Sequence, residues 1–222
     1  MLTTTDPNYT SAEKQDRKRY VIIAGNIGVG KSSLTARLAK SLGWMPFYEA
    51  ANENPYLSDF YADMPRWSFQ SQVFFLAGRL QLHRQLSAQV ESVVQDRSLY
   101  EDAEIFACNL HRQGNFADRD YATYRALYES VRDLLPVPDL LVYLQASVPT
   151  LLTRIAQRGR TFEQTIAPDY LAQLNHLYEE WIAQWTLCPI VCIPTDTLDF
   201  VRNPRDLAQL AETIQKALEP HE

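Results

Sequence analysis

Short apolar runs alternate with longer amphipathic stretches along this chain. The runs Tyr20–Ala24, Ser92–Gln95, Asp139–Gln145 and Pro189–Ile193, with a weaker one at Met45–Tyr48, are rich in Val, Ile and Leu. Runs of this length without polar alternation mark strands buried on both faces of a parallel sheet. Between them, Ser32–Leu42, Trp67–Glu91, Pro149–Arg158, Pro168–Trp185 and Pro204–Leu218 read as helices, and Tyr100–Leu135 as two helices broken near Gly114. Strands alternating with helices predict a three-layer α/β domain with a mostly parallel sheet. Ligands of such sheets sit beyond the carboxyl ends of the strands, so the residues that follow each strand are where chemistry is expected.

Composition narrows the class without changing the picture. At 222 residues, 46% hydrophobic and 22% charged, the chain reads as one globular domain over residues 19–222, with no repeat or Gly/Ser linker to divide it. Residues 1–18 read as a flexible tail that ends in a basic run, Lys14 to Arg19. A net charge of −6 argues against nonspecific nucleic-acid binding, which needs a broad basic surface. No apolar run approaches the roughly 18–20 residues of a membrane span, and Met1 to Arg19 lacks a secretory pattern, so the expected compartment is the cytoplasm. The cysteines Cys108, Cys188 and Cys192 are odd in number and lack CxxC spacing; they are expected to be buried small apolar residues.

The first strand runs into Gly25-Asn26-Ile27-Gly28-Val29-Gly30-Lys31-Ser32, followed by Ser33, the G-x4-G-K-S pattern of a phosphate-binding P-loop. The glycines let the backbone curl so that successive N–H groups face an anion, and the following helix adds the positive end of its dipole. Lys31 reaches the β- and γ-phosphates of a nucleoside triphosphate, and the Ser32 hydroxyl is placed to ligate Mg²⁺. At average glycine usage the four fixed positions coincide by chance about once in tens of thousands of positions.

Three further segments follow strands. Glu49, after the second, is placed to accept a proton from an attacking hydroxyl. Asp96-Arg97-Ser98, after the third, pairs a Mg²⁺-linked carboxylate with a cation that clamps phosphate. Arg154, Arg158 and Arg160 follow the fourth. The first two share a helix face, and Gly159 breaks the helix before the last. Three clustered guanidiniums are costly without an anion among them, and a lid over the triphosphate, spanning about residues 154–168, accounts for them.

These segments, in this order and spacing, resemble the deoxyribonucleoside kinase family from about Tyr20 to Phe200. The matching pieces are Gly25–Ser33, Glu49, Asn54-Pro55-Tyr56-Leu57, Trp67–Arg79, Asp96-Arg97-Ser98, Arg154–Arg160 and Tyr170–Trp181. The resemblance implies a P-loop kinase fold, with a five-stranded parallel sheet flanked by helices, an arginine-rich lid, ATP and Mg²⁺ as cofactors, and a homodimer. It implies transfer of the ATP γ-phosphate to the 5′-hydroxyl of a small-molecule deoxynucleoside in salvage.

By resemblance, Glu49 is the base that takes the 5′-hydroxyl proton, and Arg97 holds Glu49 and steadies the phosphoryl group. Tyr61 and Glu179 hold the sugar 3′-hydroxyl, Gln72 reads the base edge, and Phe106 stacks on the base. Arg79 and Asp102 match a pair found beside the base in members that accept purine deoxynucleosides and deoxycytidine. Asp196–Asn203, including Asp199 and Phe200, aligns with the loop that embraces the adenine of ATP. Gln72 with Arg79, and Asp102 with Phe106, each share a helix face, so two facing helices build one base pocket.

Two departures stand out. Asp96 replaces the Glu of many members, so its Mg²⁺ contact runs through water. Ser71 stands where some relatives have an aromatic against the base, leaving a roomier pocket that favours a purine. The alternatives are a nucleoside-monophosphate kinase of the thymidylate type and an ATP-binding subunit without phosphoryl transfer.

Overall fold

The structure is a computed structural model that describes residues 17–48, 54–160, 163 and 166–219. Five strands, β1 (Tyr20–Gly25), β2 (Met45–Phe47), β3 (Val93–Asp96), β4 (Leu140–Gln145) and β5 (Ile190–Pro194), form one sheet in the order β2-β3-β1-β4-β5. Every pairing is parallel. β1 lies at the centre and is buried along its whole length, which is why its run carries no polar residue. Alternate residues serve opposite faces. Tyr20, Ile22 and Ala24 enter one apolar core, and Val21 and Ile23 enter the other.

The second core is covered by α1 (Lys31–Leu42), α7 (Val148–Arg158) and α9 (Pro204–Ala217), through residues such as Leu34, Leu38, Leu151, Ile155, Leu210 and Ile214. The first is covered by α2 (Leu57–Ala62), α3 (Met64–Ala88), α4 (Leu99–Glu101), α5 (Cys108–Arg112), α6 (Asp118–Arg132) and α8 (Pro168–Gln184). These are the three layers expected. β3 flanks β1 on one side and β4 on the other, so the crossovers leave in both directions and a crevice opens at the carboxyl end of β1.

The differences from the sequence reading are local. α3 begins at Met64, not Trp67, because Asp63 caps it by accepting from the Arg66 N–H at 3.2 Å and Pro65 sits in its first turn. The short α2 precedes it. The first expected helix after β3 is α4 followed by a π-helical turn, Asp102–Ala107, and α5. The break at Gly114 is present, with φ +73°. Residues 1–16 of the expected tail lie outside the described residues. The end of the basic run is tied down: Lys18 Nζ donates to the Leu86 and Gln89 carbonyls that end α3, at 2.8 and 2.9 Å. The cysteines correct the expectation of burial. Cys108 and Cys188 are half-buried, and Cys192 is exposed because β5 is an edge strand. Among the described residues no helix is long and apolar enough to cross a membrane.

Candidate active site

The crevice begins with the P-loop. Gly25 has φ +143°, and a Cβ there would stand 2.6 Å from the Leu144 carbonyl oxygen, so only glycine fits. Gly30, at φ +110°, precedes α1 without a side-chain cap, which leaves the first N–H groups of the helix for an anion. Lys31 Nζ donates to the Gly25 and Asn26 carbonyls at 2.7 and 3.0 Å. The Asn26 side chain points away, donating to the Leu171 carbonyl and to Asn175 Oδ1 on α8. Val29 is buried in the core. Val29, its side chain in the core, still lines the crevice.

At the end of β3, Ser32 Oγ donates to Asp96 Oδ2. Asp96 Oδ1 is buried and has no hydrogen-bond partner among the described residues. An orphaned carboxylate oxygen beside a P-loop hydroxyl is a hard-oxygen donor set that fits Mg²⁺. Arg97 follows with φ +62°, in the left-handed region, and its guanidinium lies 4.2 Å over the Phe106 ring.

A cleft of about 920 Å³, counted to its open mouth, runs from Lys31 and Ser32 past Asp96 and Arg97 to Gln72, Phe75, Asp102 and Phe106. Its mixed lining of apolar side chains with a few convergent polar groups suits a small-molecule site. Arg79 and Asp102 form a buried ion pair at 2.7 Å, with side-chain exposures of 4% and 5%. Gln72 is buried, and its Oε1 has no partner among the described residues. Tyr61, 38% exposed, stands at the mouth, and Tyr170 lines the wall.

Two residues singled out from the sequence do not line this cleft. Glu179 is exposed and does not line the cleft, because the buried stripe of α8 runs through Leu171, Leu174, Tyr178 and Trp181. Glu163, only 6% exposed, lines it together with Asp96 and Asp102. Ser71 is fully buried beneath the cleft, where its hydroxyl accepts from Asn54 Nδ2 at 3.0 Å, and Phe75 supplies an aromatic one turn on.

A second cleft, about 1640 Å³ on the same count, lies on the other side of the P-loop. Gly28, Ser33, Arg154, Arg158, Arg160, Asp199 and Phe200 line it. The Phe200 ring packs against Gly30, where a Cβ would approach it to 2.9 Å. Contrary to expectation, the arginines find their partners within the protein. Arg154 donates to the Val29 carbonyl at 2.9 Å and to the Thr195 hydroxyl and carbonyl at 2.9 and 2.6 Å. Arg158 and Arg160 both pair with Glu163. The acid three residues beyond Arg160 was the missed counter-charge. Glu49 lies outside the described residues, as do residues 161, 162, 164 and 165 of the expected lid.

Comparison with known proteins decides what this pair of clefts belongs to. The sequence profile of the deoxynucleoside kinase family matches residues 21–219. The chain is 36% identical over 200 residues to the deoxyadenosine/deoxycytidine kinase of Bacillus subtilis, covering 89% of this chain and 92% of that one. The chain belongs to the deoxynucleoside kinase family. It is also 37% identical to the deoxyguanosine kinase of Lactobacillus acidophilus, over 84% of this chain and 85% of that protein. The structure of deoxyadenosine kinase from M. mycoides with bound dATP superposes with a TM-score of 0.77 at 31% identity, covering 88% of this chain and 98% of that one.

Within this deoxynucleoside kinase, several residues around the clefts were not singled out from sequence. Phe75 was legible: it lies three residues after Gln72 and four before Arg79, on the face those two share. Glu163 and Tyr170 carry no local signature, since only the return of the chain from α7 to α8 brings them to the cleft.

Proposed function

We propose that this deoxynucleoside kinase transfers the γ-phosphate of ATP to the 5′-hydroxyl of a deoxynucleoside, with purine deoxynucleosides preferred and deoxycytidine second. The observation that carries the reading is the unpartnered Oε1 of buried Gln72 in the same cleft as the Arg79–Asp102 pair, with Lys31 and Ser32 at its inner end. A carboxamide offers a donor and an acceptor to a base edge. An arginine held by a carboxylate offers directed donors to an acceptor such as the purine N7. Phe75 and Phe106 supply flat apolar surface for the base.

In this reading Tyr61 and Glu163, which both line the cleft, hold the sugar 3′-hydroxyl in place of the exposed Glu179. Glu49 takes the 5′-hydroxyl proton. The triphosphate lies in the second cleft, with its adenine toward Asp199 and Phe200 and its phosphates on the backbone of Gly25–Ser32. Lys31, Arg97, Arg158 and Arg160 stabilise the charge that spreads over the transferring group, and catalysis is chiefly positioning and electrostatics. Ser32 and Asp96 would hold Mg²⁺, which supplies charge neutralisation between the phosphates when bound. We assign the active form to a homodimer in the cytoplasm, paired through the long helices α3 and α6.

ADP release measured with ATP and each of deoxyadenosine, deoxyguanosine, deoxycytidine and thymidine tests the reading. The expected order of kcat/KM is purines, then deoxycytidine, then thymidine. ADP release that requires a nucleoside monophosphate, or that ignores the acceptor, overturns it.

A further inference from the structure

Glu101 lines neither cleft, yet it is fully buried. Its Oε1 accepts from the Gly25 N–H at 3.2 Å and lies 2.8 Å from the Tyr178 hydroxyl. Its Oε2 accepts from the Ser98 N–H at 2.8 Å and from the Ser98 hydroxyl at 3.2 Å. The partners come from three elements: the end of β1, the cap of α4 and the middle of α8.

Each partner adjoins something the reaction uses. Gly25 opens the P-loop, and its carbonyl also receives Lys31 Nζ. Ser98 follows Arg97, whose left-handed backbone persists only if its surroundings hold it. The Arg97 N–H is fixed on the Ile23 carbonyl at 3.1 Å, and Glu101 fixes the next peptide. Tyr178 stands one turn after Asn175, which holds the Asn26 side chain at 2.7 Å, so α8 grips the first two P-loop residues through one face. A helix start alone does not need this carboxylate: a glutamine at the same position completes a capping box. Burying a charge is unfavourable unless something answers it. Arg97 and Lys31 do so, pulling the Glu101 pKa down against the stronger upward push of burial.

We propose that Glu101 is a positioning residue for phosphoryl transfer, which ties Gly25 to Ser98 and so fixes the P-loop and Arg97 relative to each other, with Tyr178 extending the tie to α8. This rests on the kinase reading above and deepens it.

The test uses Glu101→Gln, Tyr178→Phe and the double variant of the full chain. In Glu101→Gln one of the two oxygen positions becomes an NH₂ that faces donors, so the cap survives in part while the tie is broken. The expected result is a loss of about 10–100-fold in kcat, the scale of a small misplacement, with weaker ATP binding. Deoxyadenosine affinity stays within about twofold, because Gln72, Arg79 and Asp102 are untouched. Tyr178→Phe shifts the same parameters by less, and the double variant loses less than the product of the singles, as partners in one network do.

ATP affinity is also measured by titration without acceptor, so that a wrong acceptor assignment still leaves a readout on the tie. A Glu101→Gln enzyme with wild-type kcat and ATP affinity overturns the proposal. So does one in which only the melting temperature falls, which is the signature of a mere cap. Should Glu101→Gln not fold, Tyr178→Phe decides. It keeps the ring stacked on Tyr143 at 5.5 Å, and wild-type kinetics there refute the tie.

Discussion

The Arg79–Asp102 pair allows a sharper test than loss of function, because its two halves should fail differently. Both side chains are about 95% buried and 2.7 Å apart. Removing one partner of such a pair costs about 3–5 kcal/mol, chiefly through the charge left behind. Arg79→Met leaves a carboxylate, which escapes by taking up a proton. With an ordinary aspartate pKa of about 3.9, holding it neutral at pH 7 costs about 4 kcal/mol, and that cost falls by about 1.4 kcal/mol per unit of acidification. A carboxylate left without its partner has a raised pKa in the fold, so stability is lost as pH rises and regained as it falls. Asp102→Ala leaves a guanidinium, which cannot lose its proton.

The Arg79→Met enzyme should therefore recover about 2 kcal/mol of unfolding free energy between pH 7 and 5.5 relative to wild type, and the Asp102→Ala enzyme should recover none. The double variant Arg79→Met with Asp102→Ala strands neither charge and should be more stable than either single. Urea unfolding at both pH values measures this. Equal pH behaviour of the two singles refutes the account of stranded charge. In the same four proteins, kcat/KM for the four deoxynucleosides tests selection. The double variant should gain on thymidine relative to deoxyadenosine, because the space and the polar demand change together. An unchanged order of preference removes the pair from base selection.

Glu49→Gln should keep ATP affinity and lose about 10²–10⁴ in kcat, and wild-type turnover would take Glu49 out of the mechanism. His83, buried with neither ring nitrogen hydrogen-bonded among the described residues, has its pKa pushed down to about 4 by burial and by Arg79. The fold thus resists protonating it, and wild type should lose about 3 kcal/mol as pH falls from about 6.5 to 4; His83→Leu should lack that loss, and an identical pH slope in urea unfolding would contradict this. Light scattering should give twice the 25.5 kDa chain mass at micromolar concentration, and a monomer mass counts against the dimer. A deoxynucleoside triphosphate product should compete with both ATP and the nucleoside, since the two clefts meet at Gly28, Lys31 and Ser32; noncompetitive inhibition against both excludes that pose.

What the sequence made legible follows from how strongly each signal is over-determined. β1 begins at Tyr20 as expected because both its faces are buried, and its run ends at the P-loop glycine. The shared faces of Gln72 with Arg79 and of Asp102 with Phe106 were legible from helical spacing; Gln72, Asp102 and Phe106 line the cleft, and Arg79 pairs with Asp102. The start of α3 was readable but missed: Asp63 and Pro65 are a cap and a first-turn proline, whereas Trp67 was only the first large apolar residue. The exposure of Glu179 was readable from its neighbours, since a helix that buries Leu171, Leu174, Tyr178 and Trp181 turns residue 179 outward. Glu163 could not be read locally, because its partners Arg158 and Arg160 look equally like a phosphate site until the fold brings the acid back onto them.

The segment from the end of β3, at Asp96, to α5 joins these observations. Within it, Asp96 faces the Ser32 hydroxyl, Arg97 leans on Phe106, Glu101 reaches the P-loop and Asp102 holds Arg79. Two departures from regular backbone make that density feasible. The left-handed Arg97 turns the chain at the strand end, so that α4 starts beneath Gly25. The π-helical turn then keeps Asp102, Phe106 and Leu110 on one cleft wall at a spacing of four. In a regular α-helix eight residues accumulate a rotation about 80° beyond two full turns, and Leu110 would swing away from the wall on which Asp102 stands. The wider i→i+5 turn takes up that excess. A deviation of this kind occupies six residues, fewer than two helical turns, so the hydrophobic period shows no sign of it even though the shape of the cleft depends on it.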